Sequence, residues 1–378
     1  MHVKSKRVLF VATVVKTHIM QFHIPYLKMF KEMGYETAVA ARNDYENPED
    51  CHIPYCDHFF DIPFQRDPFH RDNIQCYKKL KTIIDEGDFS IIHCHTPVGG
   101  VLGRLAARKA RKNGSRIMYT AHGFHFYKGA PIKYWILFYP IEKLCSRLTD
   151  VLITINKEDY ALAQKKMKAK CVKYVPGVGV DLKKFGQSTI DKATKRRKLG
   201  IPEDSIVLLS VGELISRKNH ETSIQAIADM DAHYLIAGDG ELRQHLQSSI
   251  DRLENSDKIK LLGYRNDVAD LYKAADIFVF SSYQEGLPVA VMEAMASGLP
   301  CVVSKIRGNT DLLENTEGGF LCDPQDATEF AEKLTILASD AELREKMGRN
   351  NLTTIQRFGT ETVLNEMRKI YDTENSDG

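Results

Sequence analysis

Two glutamates, Glu285 and Glu293, are separated by seven residues in the stretch Ser281-Ser282-Tyr283-Gln284-Glu285-Gly286-Leu287-Pro288-Val289-Ala290-Val291-Met292-Glu293-Ala294-Met295-Ala296-Ser297-Gly298. Ionised carboxylates only accept hydrogen bonds, so such a pair suits a polyol such as a ribose or a hexose. Upstream, Arg217-Lys218 follow an apolar run and precede a helical pattern. Two adjacent cations beside the free N–H groups of a helix start suit a diphosphate. Gly238-Asp239-Gly240 follow the next apolar run, where glycine permits close backbone approach. His122, in Thr120-Ala121-His122-Gly123, stands directly past a strand and is placed to point into a cleft. Each feature also has a plainer reading. Glu293 suits a solvent-facing helix position, Glu285 an ordinary loop charge and His95 a core or capping histidine. Their joint placement is what counts, because all follow apolar runs of strand length.

Those runs alternate with helical patterns along the chain. Strands are expected at 8–15, 35–40, 89–94, 115–120, 151–155 and 171–175, and again at 207–211, 233–236, 259–262, 277–280 and 299–303. Pro288 fits the first position of the helix carrying Glu293, and Gly298 fits its stop. Strand–helix alternation of this kind predicts α/β architecture with doubly wound parallel sheets, whose ligands bind at the carboxyl edge. At 378 residues the chain suggests two domains, with the boundary between 181 and 198. The assignment is 1–185, 186–355, and a terminal segment 356–378 whose helix crosses back to the first domain and whose tail, Thr373–Gly378, is polar and mobile. Residues 42–73 read as irregular.

Other residues need placing. The loop after the first strand is Lys16-Thr17-His18, without the paired glycines that often admit a phosphate there. His93 and His95 end the third strand; taken as facing opposite ways, only one enters a cleft, and His95 is nearer the edge. Cys51, His52, Cys56 and His58 match no strong zinc spacing. Arg104, Arg108, Lys109, Arg111 and Lys112 read as a solvated helix face. Pro131-Ile132-Lys133-Tyr134-Trp135-Ile136-Leu137-Phe138-Tyr139-Pro140-Ile141 holds the only Trp, flanked by Lys128, Lys143 and Arg147. It reads either as a core helix or as an interfacial helix on an anionic membrane, over residues 131–147.

Composition narrows the classes. A net charge of +2 does not imply nucleic acid, and the eight cysteines show no CxxC pair, which suits reduced thiols in the cytoplasm. The apolar N-terminal run reads as a first strand rather than a leader. No run reaches the roughly 20 apolar residues of a membrane span.

With Arg217-Lys218, Ala237-Gly238-Asp239-Gly240, Glu285 and Glu293, and Thr120-Ala121-His122-Gly123 in place, nearly the whole chain resembles the retaining glycosyltransferases of family 4. The resemblance implies the GT-B fold, two facing Rossmann-like domains with an interdomain cleft. It implies that Glu293 holds the nucleotide ribose, that Arg217 and Lys218 hold the diphosphate, and that Glu285 lies near the donor sugar. Gly286, Leu287, Pro288 and Gly238 would contact the donor through the backbone, and His122 would stand beside the reacting sugar. No metal or cofactor is then required. The bacterial exopolysaccharide and capsule group is the nearest in character, carried by residues 93–103 and 122–131. It implies a UDP-sugar donor, with N-acetylhexosamine as the sugar, a polyprenyl-diphosphate-linked saccharide as acceptor, and a peripheral position on the inner membrane face. A sugar-nucleotide 2-epimerase and a non-catalytic scaffold of a polysaccharide complex share the architecture and stand as alternatives.

Overall fold

The apolar runs become strands, with ends shifted by up to two residues. The computed structural model describes residues 5–186 and 190–372, so the tail 373–378 lies outside the described residues. Strands β1 (Arg7–Val14), β2 (Glu36–Arg42), β3 (His58–Asp61), β4 (Ile91–His95), β5 (Arg116–Ala121), β6 (Val151–Thr154) and β7 (Cys171–Tyr174) form one sheet, in the order β3-β2-β1-β4-β5-β6-β7. A second sheet holds β8 (Val207–Val211), β9 (His233–Ala237), β10 (Ile259–Gly263), β11 (Ile277–Phe280), β12 (Cys301–Ser304) and β13 (Gly319–Cys322), in the order β10-β9-β8-β11-β12-β13. Every pairing in both sheets is parallel. The chain separates into two compact units, 1–178 and 179–378, each with one sheet.

Parallel sheets bury both faces, which is why the central strands are mostly apolar and buried along nearly their whole length. Leu9 and Val11 of β1 enter the core of the first unit, with Ile92, Cys94 and Ile117 of the neighbouring strands. Leu208, Ile236, Ile277 and Val302 do the same in the second. Strands β3 and β13 were not legible in the sequence. Both are four-residue strands at the margin of their sheet, and β3 replaces part of the irregular segment expected over 42–73. Their apolar runs, Phe59-Phe60 in β3 and Phe320 to Cys322 in β13, are too short to register as strands in the sequence.

In each sheet the strand order turns back on itself once, between β1 and β4 and between β8 and β11. Loops leaving adjacent strands there diverge to opposite faces and open a crevice at the carboxyl edge.

Arg104 departs from its expected place on a solvated face. It is wholly buried in the helix Pro97–Ala106, and its guanidinium grips Glu142 of the helix Ile132–Ser146 in two bonds, Nη1–Oε1 at 2.5 Å and Nη2–Oε2 at 2.9 Å. Its Nε donates to the Gly100 carbonyl at 2.8 Å, and the centre of the Tyr119 ring lies 3.8 Å away. This pair pins the aromatic helix to the first unit. The remaining cations, Arg108, Lys109, Arg111 and Lys112, line a groove of about 670 Å³ at the opposite, amino edge of the sheet.

The aromatic helix has two characters. Trp135 and Tyr139 pack on Phe126, with ring centroids 5.6 and 5.5 Å apart, so its largest aromatics face the core. Its aliphatic residues point outward: Ile132 is 74% exposed, Ile136 71% and Leu144 57%. No helix among the described residues is long and apolar enough to cross a membrane.

Candidate active site

The second unit builds its site from two loops at the switch point. The loop after β8 makes a single turn, Ser216–Lys218, and hands over to the helix His220–Ile227 through Asn219, whose φ of 52° is left-handed. Asparagine tolerates that conformation because its short amide can bond locally. Here its Nδ2 donates to the carbonyls of Ser281 (2.9 Å) and Pro324 (2.7 Å). Ser281 Oγ donates back to the Asn219 carbonyl at 2.6 Å, and Tyr283 N to that of Arg217 at 2.9 Å. The loops after β8 and β11 are therefore laced together before any ligand arrives.

Arg217, Lys218 and Glu285 meet in that lacing. Glu285 Oε1 accepts from Arg217 Nη1 at 2.7 Å, Lys218 Nζ at 2.8 Å and Ser282 Oγ at 2.8 Å. Arg217 Nη1 also reaches the Gln284 carbonyl at 2.9 Å, and the Lys218 ammonium stands 4.9 Å from the Phe280 ring centre. The Lys218 side chain is 12% exposed and that of Glu285 10%, whereas Arg217 is 39% exposed. One shielded carboxylate thus fixes two cations side by side, with Arg217 left open toward solvent. Arg307 adds a bond from its Nε to the Glu285 carbonyl at 3.1 Å, a neighbour that no motif in the sequence announced.

Glu293 lies on the helix Val289–Ala296, which starts one position later than expected. Pro288 precedes the first helical residue rather than occupying it, and its carbonyl accepts from Met292 N at 3.3 Å. The end of the helix is as expected. Gly298 (φ 74°) donates to the Met295 carbonyl at 3.0 Å and Leu299 N to that of Ala294 at 3.1 Å, closing the last turn. The Tyr272 hydroxyl lies 3.1 Å from Glu293 Oε2 and 2.9 Å from the Ala290 carbonyl, so its one proton serves one of them at a time. Burial raises the Glu293 carboxyl to about 7, opposed by the Tyr272 bond and by Lys184.

Gly238 and Gly240 follow β9, as expected, but the space beside them is already filled. A side chain at Gly238 would meet the Gly212 carbonyl oxygen at 1.8 Å, and one at Gly240 that of Leu214 at 2.5 Å. These glycines let the loops after β8 and β9 pack together. Gly286 packs closely on Gly308, where a Cβ would lie 2.6 Å from the Gly286 carbonyl oxygen. Leu287 is buried.

In the first unit, His122 follows β5 and joins a group of histidines. His95 Nδ1 lies 3.3 Å from His122 Nε2, and His18 Nε2 lies 3.1 Å from His23 Nε2. His18 comes from a wide helical turn, Val15–Ile19, directly after β1, and His23 from the break between the helical segments Met20–Phe22 and Ile24–Glu32. The expectation that His93 and His95 face opposite ways is wrong. Residues two apart on a strand share a face, and the two ring centres lie 4.1 Å apart. His93 is held by Thr120, Nε2 to Oγ1 at 2.8 Å. Burial lowers His122 to about 4 and His93 to about 3, and burial with mutual repulsion lowers His18, His23 and His95, so all five are neutral near pH 7. Beside them, Thr96 holds a φ of 63°, strained for a β-branched residue. Cys51, His52, Cys56 and His58 do not form such a group among the described residues: His58 pairs with Glu36, and the Cys56 thiol donates to the His58 carbonyl at 3.2 Å.

Comparison with known proteins adds to this geometry. Residues 7–156 match the family described as glycosyl transferase 4-like, and residues 191–353 match glycosyl transferases group 1. The chain is 39% identical to EpsD of Bacillus subtilis, a putative glycosyltransferase, over 374 residues, covering 97% of this chain and 96% of that one. The chain belongs to the GT4-type glycosyltransferases. As a member it is a transferase, which sets the epimerase and scaffold readings aside. It is also 31% identical, over 79% of its own length and 81% of the other's, to an Escherichia coli UDP-Gal:alpha-D-GlcNAc-diphosphoundecaprenol alpha-1,3-galactosyltransferase. HepE of Anabaena, solved with UDP and glucose, superposes with a TM-score of 0.82 at 20% identity, covering 97% of this chain and 100% of that one, and shares its GT-B fold.

Proposed function

We propose that this glycosyltransferase moves a sugar, an N-acetylhexosamine, from a UDP-sugar to a polyprenyl-diphosphate-linked saccharide, with retention at the anomeric carbon, in exopolysaccharide or capsule synthesis. The observation that carries the donor half is the convergence of Arg217 and Lys218 on Glu285 at the carboxyl edge of β8 and β11. The galactosyltransferase relative, named for a UDP-sugar donor and a diphosphoundecaprenol-linked acceptor, supports the choice of substrates.

In this reading the second unit holds the donor and the first the acceptor. Glu293 accepts from the ribose hydroxyls. Arg217 and Lys218 bind the diphosphate, while Glu285 holds both cations in position and lies near the sugar. Gly286, Leu287, Pro288 and Gly238 shape the backbone around the donor, and His122 contacts the transferred sugar. The bond from the anomeric carbon to the diphosphate oxygen breaks, and its electron pair leaves with UDP. The acceptor hydroxyl attacks from the same face, forms the new C–O bond and passes its proton to a leaving phosphate oxygen. Cations already in place stabilise the charge that develops on the diphosphate, without reorganising at the moment of reaction. The departing diphosphate then needs no metal.

The helix Ile132–Ser146 supplies the approach to a lipid-linked acceptor. Its outward Ile132, Ile136 and Leu144, flanked by Lys133 and Lys143, rest on the anionic inner face of the membrane. A panel of UDP-sugars with a polyprenyl-diphosphate-linked acceptor, read as released UDP and as product anomer by NMR, tests the assignment. Turnover of one UDP-sugar, dependent on the acceptor and giving the donor's anomeric configuration, is expected. Release independent of acceptor, or an inverted product, defeats it.

A further inference from the structure

Four histidines of the first unit, His18, His23, His95 and His122, bring ring nitrogens within 4.8 Å of one another. They come from the turn after β1, the helix break beyond it and the ends of β4 and β5. They therefore gather where the strand order reverses, at the ligand-binding edge. Two of the separations, 3.1 Å between His18 and His23 and 3.3 Å between His95 and His122, are already short. A tetrahedral zinc with Zn–N bonds of about 2.0–2.1 Å places its nitrogens about 3.3–3.4 Å apart. The remaining separations lie within 4.8 Å, so binding an ion requires the rings to move closer together.

The protein alone leaves this cluster underpaired. Each close pair shares one proton, and the other ring nitrogens of His23 and His95, Nδ1 and Nε2, are buried with no hydrogen-bond partner, so on these two rings neither nitrogen is fully committed within the protein. Four imidazoles without a carboxylate are a poor site for Mg²⁺ or Ca²⁺, which prefer oxygen, and a good one for Zn²⁺ and its neighbours. We propose that His18, His23, His95 and His122 form a binding site for one Zn²⁺ ion. The site uses no residue of the second unit and takes no part in the departure of the diphosphate. If His122 contacts the transferred sugar as proposed above, the ion occupies the nitrogen it would use. Bound Zn²⁺ then inhibits transfer while leaving UDP binding intact.

The test uses the full chain, stripped with a chelator and titrated with Zn²⁺, and with Co²⁺ as a spectroscopic reporter. Expected are one zinc per chain by elemental analysis after gel filtration, the visible absorption of tetrahedral Co²⁺, and X-ray absorption showing four nitrogen neighbours at about 2.0–2.1 Å. His23→Gln and His95→Gln should each weaken Zn²⁺ binding more than about 100-fold, beyond the about 10–100-fold that losing an outer-shell partner costs. His58→Gln should leave it unchanged. Far-UV circular dichroism and a thermal melt report whether each variant is folded. Failure to retain stoichiometric zinc, sulfur or six oxygen neighbours in the absorption spectrum, or unchanged affinity in a folded His23 or His95 variant, overturns the proposal. The wild-type spectrum decides even if both variants misfold. Loss of zinc binding and failure of the UDP-sugar assay are separate results, since neither measurement uses the other's substrate.

Discussion

At the scale of residues, Glu285 and Glu293 divide the labour expected of a carboxylate pair in an unexpected way. Glu285 is a fixed anion that two cations and a serine hydroxyl hold, whereas Glu293 is a buried group near its neutral point. Lys218→Ala should fold normally, because Arg217 still pairs with Glu285, but should lower kcat about 100- to 1000-fold, the usual loss for a preorganised charge-stabilising donor. Steady-state kinetics and a thermal melt on the same sample check this. Glu293 predicts a pH effect. Its folded carboxyl is raised to about 7, so the folded chain binds this proton more tightly than the unfolded chain. Its contribution to stability is fully present below the unfolded carboxyl range and is lost as pH rises through about 7. The carboxylate is the better acceptor for ribose hydroxyls, so UDP-sugar affinity should rise as pH passes through about 7. Calorimetric titration across that range should show the rise in wild type and a flat profile in Glu293→Gln.

At the scale of elements, the helix Ile132–Ser146 is held by Arg104 and exposed along its aliphatic side. Replacing one member of a buried pair strands the other's charge. Glu142→Leu should therefore cost about 3–5 kcal/mol in denaturant unfolding, and Arg104→Met with Glu142→Leu should recover most of that. The opposite side of the helix behaves differently. Ile132, Ile136 and Leu144 bury little on folding, so changing all three to Ser should move stability by no more than about 0.5 kcal/mol per site. The same triple variant should lose flotation with anionic vesicles. Wild-type protein that fails to float would remove the membrane-docking role of this helix.

At the scale of the whole molecule, both sheets are built alike but carry different chemistry at their switch points: cations and carboxylates in the second, neutral histidines in the first. UDP should therefore slow hydrogen exchange in residues 212–219 and 281–293, and leave strands β1, β4 and β5 unchanged. Protection confined to the first unit would reverse the assignment of donor and acceptor. The sequence by itself determined the alternation of strands and helices, since burial on both faces of a parallel sheet leaves long apolar runs. It also marked Arg217, Lys218, Glu285, Glu293 and His122, because each follows such a run. It could not show β3, where only Phe59-Phe60 stand between His58 and Asp61, nor β13, whose short Phe-Leu-Cys run follows two glycines, nor Arg307, which reaches Glu285 from a distant loop. Arg104 looked like a surface cation because its partner Glu142 lies 38 residues away. The histidine cluster was the largest omission: His23 gave no signal, and His18 and His95 stood 77 positions apart. Only tertiary structure, by bringing β1, β4 and β5 side by side, decided that these rings meet.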